Sequence, residues 1–489
     1  MSIVSELFFY ICSQDLTTIL TYSGLAILPI AGAVVGGNNS GGCSCSDCAG
    51  DHNAEPRDIE PLKKEAAELE NLPARSIEQS EKLADIYAEL ATIAYDEGEH
   101  IDTIIMLLDR AEKTLKNTLA QGEDAEIRRK LSNIYTQRAI IYNDFDDLDS
   151  AIDSYSAAFA ALKPLDDSGD GEAKYDLAGI QLNRGVLSHE KGDFANAKTD
   201  FDESFLAFRA VEKISDLDTR YFMAKVSIAQ GTLFRDMDES LEKVVDAYNR
   251  AMRLLVELID IGQMEHEREL ANVLLDRCTA TYESYRDGEF ETETEKANKI
   301  NDILIDVGRG IEILERIVKT DPQFESRIDL FNAVATEGSI LLDMDKFEEA
   351  INAFNRIIKE FEDFSKVDDP TLLLHFISAL ENRSVCFART GIFDKALVDA
   401  TECIKLAEKI KNIAQELNDD EEESDFLLHT VTFYANRANI YKAIGKKEEA
   451  IKDYESGYQI IEKLKKSFGN DLDDIAEIFN DIKNQIDAL

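Results

Sequence analysis

An all-α fold of stacked helices is the reading this 489-residue chain supports, and three observations lead to it. The motif Asn-Arg-small recurs as Asn183-Arg184-Gly185, Asn382-Arg383-Ser384 and Asn436-Arg437-Ala438. Twelve residues after each small residue comes an alanine (Ala197, Ala396, Ala450), and two of these alanines are followed four residues later by Phe201 or Tyr454. That register places alanine where two helices cross closely. The copies are also evenly spaced: Ala151 to Ala197 is 46 residues, Ala197 to Val244 is 47, and Ala350 to Ala396 is 46. Self-similarity at such a period marks a helical repeat array, and no alternating strand pattern competes with it.

Taken in order, the chain divides into an apolar, Cys/Gly-rich segment at 1–50, a linker and lead-in helix at 51–82, a repeat array at 83–464 and a terminal helix at 465–489. Eight units are expected in the array: Leu83 to Lys116, Ser132 to Pro164, Ala178 to Ala210, Ala224 to Leu258, Ala271 to Val318, Phe331 to Phe364, Ile377 to Lys409 and Val431 to Leu464. The second unit carries Gln137-Arg138-Ala139 with Tyr142, Ala151, Tyr155 and Ala158; the sixth carries Gly338, Leu341, Ala350 and Phe354. Between Val244 and Ala350 lie 106 residues, room for one divergent unit holding Asp276-Arg277-Cys278 and a second helix from near Glu295. Ala396 to Ala450 is 54, and the excess falls in Asn418 to Asp425, an acidic loop whose carboxylates suit the next helix N-terminus. Pro56, Pro164, Pro322 and Pro370 are expected at helix boundaries, because proline breaks helices. In the last helix, Asp471 to Asp487, the residues Leu472, Ile475, Ile478, Phe479, Ile482 and Ile486 keep helical spacing opposite a face of Asp and Glu. That suits a cap.

The internal pattern, a small residue, a large apolar residue three on, a glycine or turn, then Ala-x3-aromatic-x2-small, resembles the tetratricopeptide repeat. Its leading tryptophan is replaced by Tyr135, Gln181, Val334, Leu380 and Tyr434, and the chain has no tryptophan. The period exceeds the common value of about 34, so helices or connections must be longer. The resemblance implies a right-handed superhelical solenoid of antiparallel helix pairs, with first helices lining a concave groove. It further implies that the residue two before the small position projects into that groove and bonds a peptide backbone. Those residues are Asn183, Asn382 and Asn436, with Gln137 and Asp276 at equivalent places. An amide offers donor and acceptor together, which matches a peptide bond whatever the side chain. The lysine set of a carboxylate clamp cannot be placed. Arg184, Arg383 and Arg437 each precede an aspartate by sixteen residues (Asp200, Asp399, Asp453), a spacing that predicts ion pairs inside the repeat.

Charge narrows the partners. The formal net charge is −45; the first fifty residues hold three acids and no Lys or Arg, leaving 53 bases against 95 acids. Such a field disfavours nucleic acid and anionic lipid as partners; it reads as general surface acidity for solubility or a saline environment, the alternative being attraction of a basic protein or peptide. Cys278, Cys386 and Cys403 are scattered and read as buried small residues, with no disulfide framework. Cys43, Cys45 and Cys48, with His52, form a short cluster able to hold zinc or copper(I), though no metal or cofactor is required by the array. Leu16 to Gly37 is uncharged over 22 residues, long enough for a membrane span, so membrane association is favoured over a cytoplasmic location. No basic n-region precedes it, against a secretory signal. Six dispersed histidines and no phosphate loop leave no catalytic constellation. The expected function is a non-catalytic scaffold binding a protein or peptide segment in the groove; the alternative is a membrane-tethered assembly factor using other faces. Oligomeric state is not readable.

Overall fold

The computed structural model describes residues 59–468, apart from 123, 212–215, 287, 289–291, 322–323, 367–368 and 418–419. Leu16 to Gly37, the Cys43-Cys45-Cys48-His52 cluster and the terminal helix expected at Asp471 to Asp487 lie outside the described residues. Within them are seventeen α-helices and no strand. A lead-in helix α1 (Glu60–Glu70) precedes eight pairs: α2 (Ile77–Asp96) and α3 (Ile101–Leu119), α4 (Ala125–Asp144) and α5 (Leu148–Asp167), α6 (Gly171–Glu190) and α7 (Phe194–Val211), α8 (Asp216–Asp236) and α9 (Leu241–Asp260). They continue as α10 (Glu267–Arg286) and α11 (Glu293–Thr320), α12 (Phe324–Asp343) and α13 (Phe347–Glu360), α14 (Pro370–Arg389) and α15 (Phe393–Leu417), α16 (Asp420–Ala443) and α17 (Lys447–Phe468). Most helices are 18 to 25 residues long, so the extended period comes from longer helices rather than larger connections. The array falls into two compact units whose boundary is Val273/Leu274, inside α10. In the first, each helix from α1 to α9 packs on the next; in the second, the same holds from α11 to α17.

The pairs are built on one contact. Gly185, Gly231 and Gly338 face Phe201, Tyr248 and Phe354, and a Cβ added at any of them would come within 2.6 to 2.7 Å of the ring. Elsewhere the same position holds Ala139 opposite Tyr155 or Ala438 opposite Tyr454. The crossing alanines Ala151, Ala197, Ala350, Ala396 and Ala450 are all fully buried, as their register requires. Cys278, Cys386 and Cys403 are buried too, and burial pushes the Cys386 thiol up to about 12.

Most pairs turn the same way. Seven residues past the small position the backbone goes left-handed, at Asp146 (φ 59°), Gly192 (82°), Asp238 (54°), Asp345 (57°), Gly391 (78°) and Gly445 (78°). The next amide then closes back on a carbonyl near the helix end: Asp147 to Tyr142 at 2.9 Å, Asp193 to Ser188 at 2.7 Å, Lys446 to Tyr441 at 2.8 Å. These bonds satisfy carbonyls that the helix itself leaves open. Glycine and aspartate serve because they tolerate this conformation better than other residues. Several aspartates also cap helix N-termini, Asp124, Asp147, Asp170 and Asp369 accepting from backbone amides two or three residues on.

Two expectations are corrected. Pro164 does not end its helix; α5 continues to Asp167, the only helix bond removed being to the carbonyl of exposed Ala160. The acidic stretch is not a loop up to Asp425: α16 begins at Asp420. Among the described residues no helix is long and apolar enough to cross a membrane.

Candidate functional site

The five groove candidates sit at one register on first helices, and packing treats them differently. In the first unit, Gln137 on α4 is half-buried and its Oε1 has no hydrogen-bond partner; the hydroxyl Oγ1 of its neighbour Thr136 is likewise unpartnered. Asn183 on α6 is only 1% exposed. In the second unit, Asp276 on α10 is 5% exposed and Asn382 on α14 is 8% exposed. Asn382 Nδ2 donates to Ser339 Oγ on α12 at 3.3 Å, and Asn436 Nδ2 on α16 donates to Glu381 Oε1 on α14 at 2.6 Å. The amides of this unit therefore join one first helix to the previous one. Within each unit the residues line up by register. They do not converge into one cluster.

The arginines beside them pair as their spacing requires. Arg184 reaches Asp200 with two bonds (2.8 and 2.6 Å), Arg383 reaches Asp399 (2.8 and 2.7 Å) and Arg437 reaches Asp453 (2.7 and 2.8 Å). Arg277 does the same with Asp306 at 2.8 and 2.5 Å, across a longer turn. A third nitrogen touches the preceding second helix: Arg184 Nη1 to Ser156 Oγ at 3.2 Å, Arg383 Nη1 to Asn355 Oδ1 at 2.8 Å, Arg437 Nη1 to Thr401 Oγ1 at 3.4 Å. One planar guanidinium thus ties three helices, a geometry lysine could not provide. Where the first helix carries Gln230 instead, the wiring reverses. Arg250 on α9 donates to Gln230 Oε1 at 2.7 Å, and Gln230 Nε2 donates to Asp202 on α7 at 2.7 Å. These arginines are structural clasps and leave no charge free for a ligand.

Sequence reasoning missed an open channel. In the first unit it lies where α5 and α7 both pack on α6, with a volume of about 850 Å³ and α6 as its floor. Ile152, Phe159, Leu177, Leu206 and Ala207 supply apolar wall. Its charged groups are already paired: Lys163 and Lys174 with Asp166 at 2.9 and 3.4 Å, Arg184 with Asp200, and Gln181 with Glu203. A signal was present. Ile152, Ser156, Phe159 and Lys163 recur at helical spacing on α5, beside the buried stripe Ala151, Tyr155, Ala158 and Leu162.

Perturbed groups are spread along the array. Burial pushes the Asp176 carboxyl up to about 6 although Arg129 lies 3.7 Å away, and burial with nearby Asp345 pushes Asp343 up to about 7. Burial lowers the Lys225 ammonium below its ordinary value, partly offset by Glu269. Among the described residues no group of His, Cys, Asp and Glu is arranged to hold a metal ion.

A family model described as the tetratricopeptide repeat matches residues 431–463, spanning most of α16 and α17. No curated protein matches the sequence. Among solved structures, BtubC (BKLC) from P. vanneervenii is 18% identical over 53% of this chain and 90% of that one, with a TM-score of 0.40. A tetratricopeptide repeat protein from Parabacteroides merdae is 15% identical over 72% and 98%, TM-score 0.32. The apo quorum sensor NprR from B. thuringiensis is 13% identical over 87% and 99%, TM-score 0.36. Likenesses of this size carry nothing about what the chain binds.

Proposed function

We infer that this protein, a helical array of the tetratricopeptide-repeat type, is a non-catalytic scaffold that holds a segment of a protein partner along its first helices. The observation that carries the reading is the repeat of one register on successive first helices, where Gln137 is half-buried with its Oε1 lacking a hydrogen-bond partner. Native structures satisfy nearly all such atoms, and an exception calls for a water or a ligand group. The proposed contact set is Gln137, Asn183, Asp276, Asn382 and Asn436, of which Asn382 and Asn436 would exchange their bonds to Ser339 and Glu381 for bonds to the partner's backbone, each worth about 0.5 to 1.5 kcal/mol net. The partner segment is basic, in keeping with a net charge of −45.

The test is selection of peptides from a random display library on the full chain, followed by calorimetry of the selected sequence. A chain with Gln137, Asn183, Asn382 and Asn436 replaced by alanine should bind it at least tenfold more weakly while far-ultraviolet circular dichroism stays helical. Equal affinity in a folded variant would falsify the contact set.

A second reading, a membrane-tethered assembly factor using other faces, is favoured by the channel between α5 and α7, whose lining includes none of the five amide-line residues. Its tether is Leu16 to Gly37. The intact chain should then sediment with membranes and a chain starting at Glu60 should not; identical behaviour of the two removes the tether.

A further inference from the structure

We propose that the channel between α5 and α7 is a second docking surface, and that its occupant is an amphipathic helix of a partner protein with apolar residues on one side and lysines or arginines along its flanks.

Shape argues for an elongated occupant. The α7 residues that line the channel run from Asn196 to Ala210, about 21 Å of helix at 1.5 Å per residue. A compact small molecule would leave most of that length empty, whereas a helix of about four turns spans it. Chemistry argues for a helix over an extended strand. An extended segment brings unpaired backbone amides and carbonyls that need partners. The channel has few to give: Gln181 is bonded to Glu203, Ser156 to Arg184, and Asn196 to Asp193. A helix satisfies its own backbone and asks only for apolar contact. That is on offer, since Leu206 is 54% exposed and half-buried Ile152 and Phe159 line the same channel.

Charge selects the flanks. Inside the channel lysine, arginine and acid are already matched, so a buried charge on the occupant would have to displace an existing pair. Outside, α5 presents exposed Asp153, with Asp149 and Asp167 exposed but paired to Lys191 and Lys163, within a molecule of net charge −45. Basic flanks are steered toward this surface, and a second copy of the chain is repelled by it.

The test uses the full chain and a fluorescein-labelled 16-residue peptide of leucine and lysine, with leucines at i, i+3, i+4 and i+7. Controls are the same composition scrambled and a leucine-glutamate version, read by anisotropy at about 150 mM salt, where long-range attraction is screened over roughly 8 Å. The patterned peptide should bind, and Leu206→Asp and Ala210→Arg, both at exposed positions, should each weaken it at least tenfold. Asn382→Ala with Asn436→Ala should leave it unchanged, which separates this surface from the amide line. Equal binding of the scrambled peptide, or no loss in either folded variant, overturns the proposal. A photoreactive group on the patterned peptide gives a readout on the unaltered protein: crosslinks within 152–210 support the docking surface, and crosslinks confined elsewhere overturn it. A dimer of the free chain that Leu206→Asp dissociates would assign the channel to a second copy and also overturn it.

Discussion

Arg437 illustrates how single side chains hold this array together. Its two bonds to Asp453 bury a carboxylate whose side chain is 5% exposed, and its third nitrogen reaches Thr401. Removing one partner of such a pair leaves an uncompensated charge, so Arg437→Met should lower stability by about 3 to 5 kcal/mol in urea unfolding. Replacing both, Arg437→Met with Asp453→Leu, should restore most of the loss; a double variant as weak as the single would mean that the bond to Thr401 matters more than the ion pair. A different residue sets a pH dependence. Asp343, which accepts from the Tyr282 hydroxyl with Arg286 3.9 Å away, has its carboxyl pushed up to about 7 from an ordinary 3.8. Between those values the folded chain keeps a proton that the unfolded chain has released. Stability from this group is therefore greatest below pH 4 and falls as pH rises to about 7. Asp343→Asn keeps an acceptor for Tyr282 and should flatten that fall, measured as the change in Tm between pH 5 and pH 7.5; an unaltered slope would place its origin in another group.

At the scale of the helix pair, two positions set the geometry. The left-handed residue after each first helix must accept positive φ, so Gly192→Ala should destabilise by about 1 to 2 kcal/mol, while Asp345→Gly should be neutral or stabilising. The small position must admit a ring. Gly185→Ala places a Cβ 2.6 Å from Phe201 and should cost about 1 to 3 kcal/mol by overpacking. Adding Phe201→Leu should recover part of it, and the comparison is made by thermal unfolding of the three chains. The pair register was legible because it depends on local identities: Gly185 with Phe201, Ala438 with Tyr454, and the Arg-Asp spacing of sixteen. The α16 start at Asp420 was not, because an acidic run reads equally as a loop or as the first turn of a helix, and the packing of the helix behind it decides.

For the whole molecule, charge and repetition dominate. With 98 acids against 53 bases, self-repulsion opposes the folded array, so Tm should rise between about 10 mM and 300 mM sodium chloride as the screening length shortens. A fall in Tm over that range would show that the clasp ion pairs outweigh the net repulsion. The sequence by itself determined the helical class, the period, the buried alanines and cysteines and the arginine partners, because each follows from spacing along one or two adjacent helices. Only the tertiary structure decided which amides are spent inside the protein and which surface is open. Asn382 bonds Ser339 from 43 residues away and Asn436 bonds Glu381 from 55, and the channel lies where α5 and α7 both rest on α6. Those outcomes depend on how successive pairs stack, and stacking is set by the summed shapes of three helices rather than by any motif along one of them.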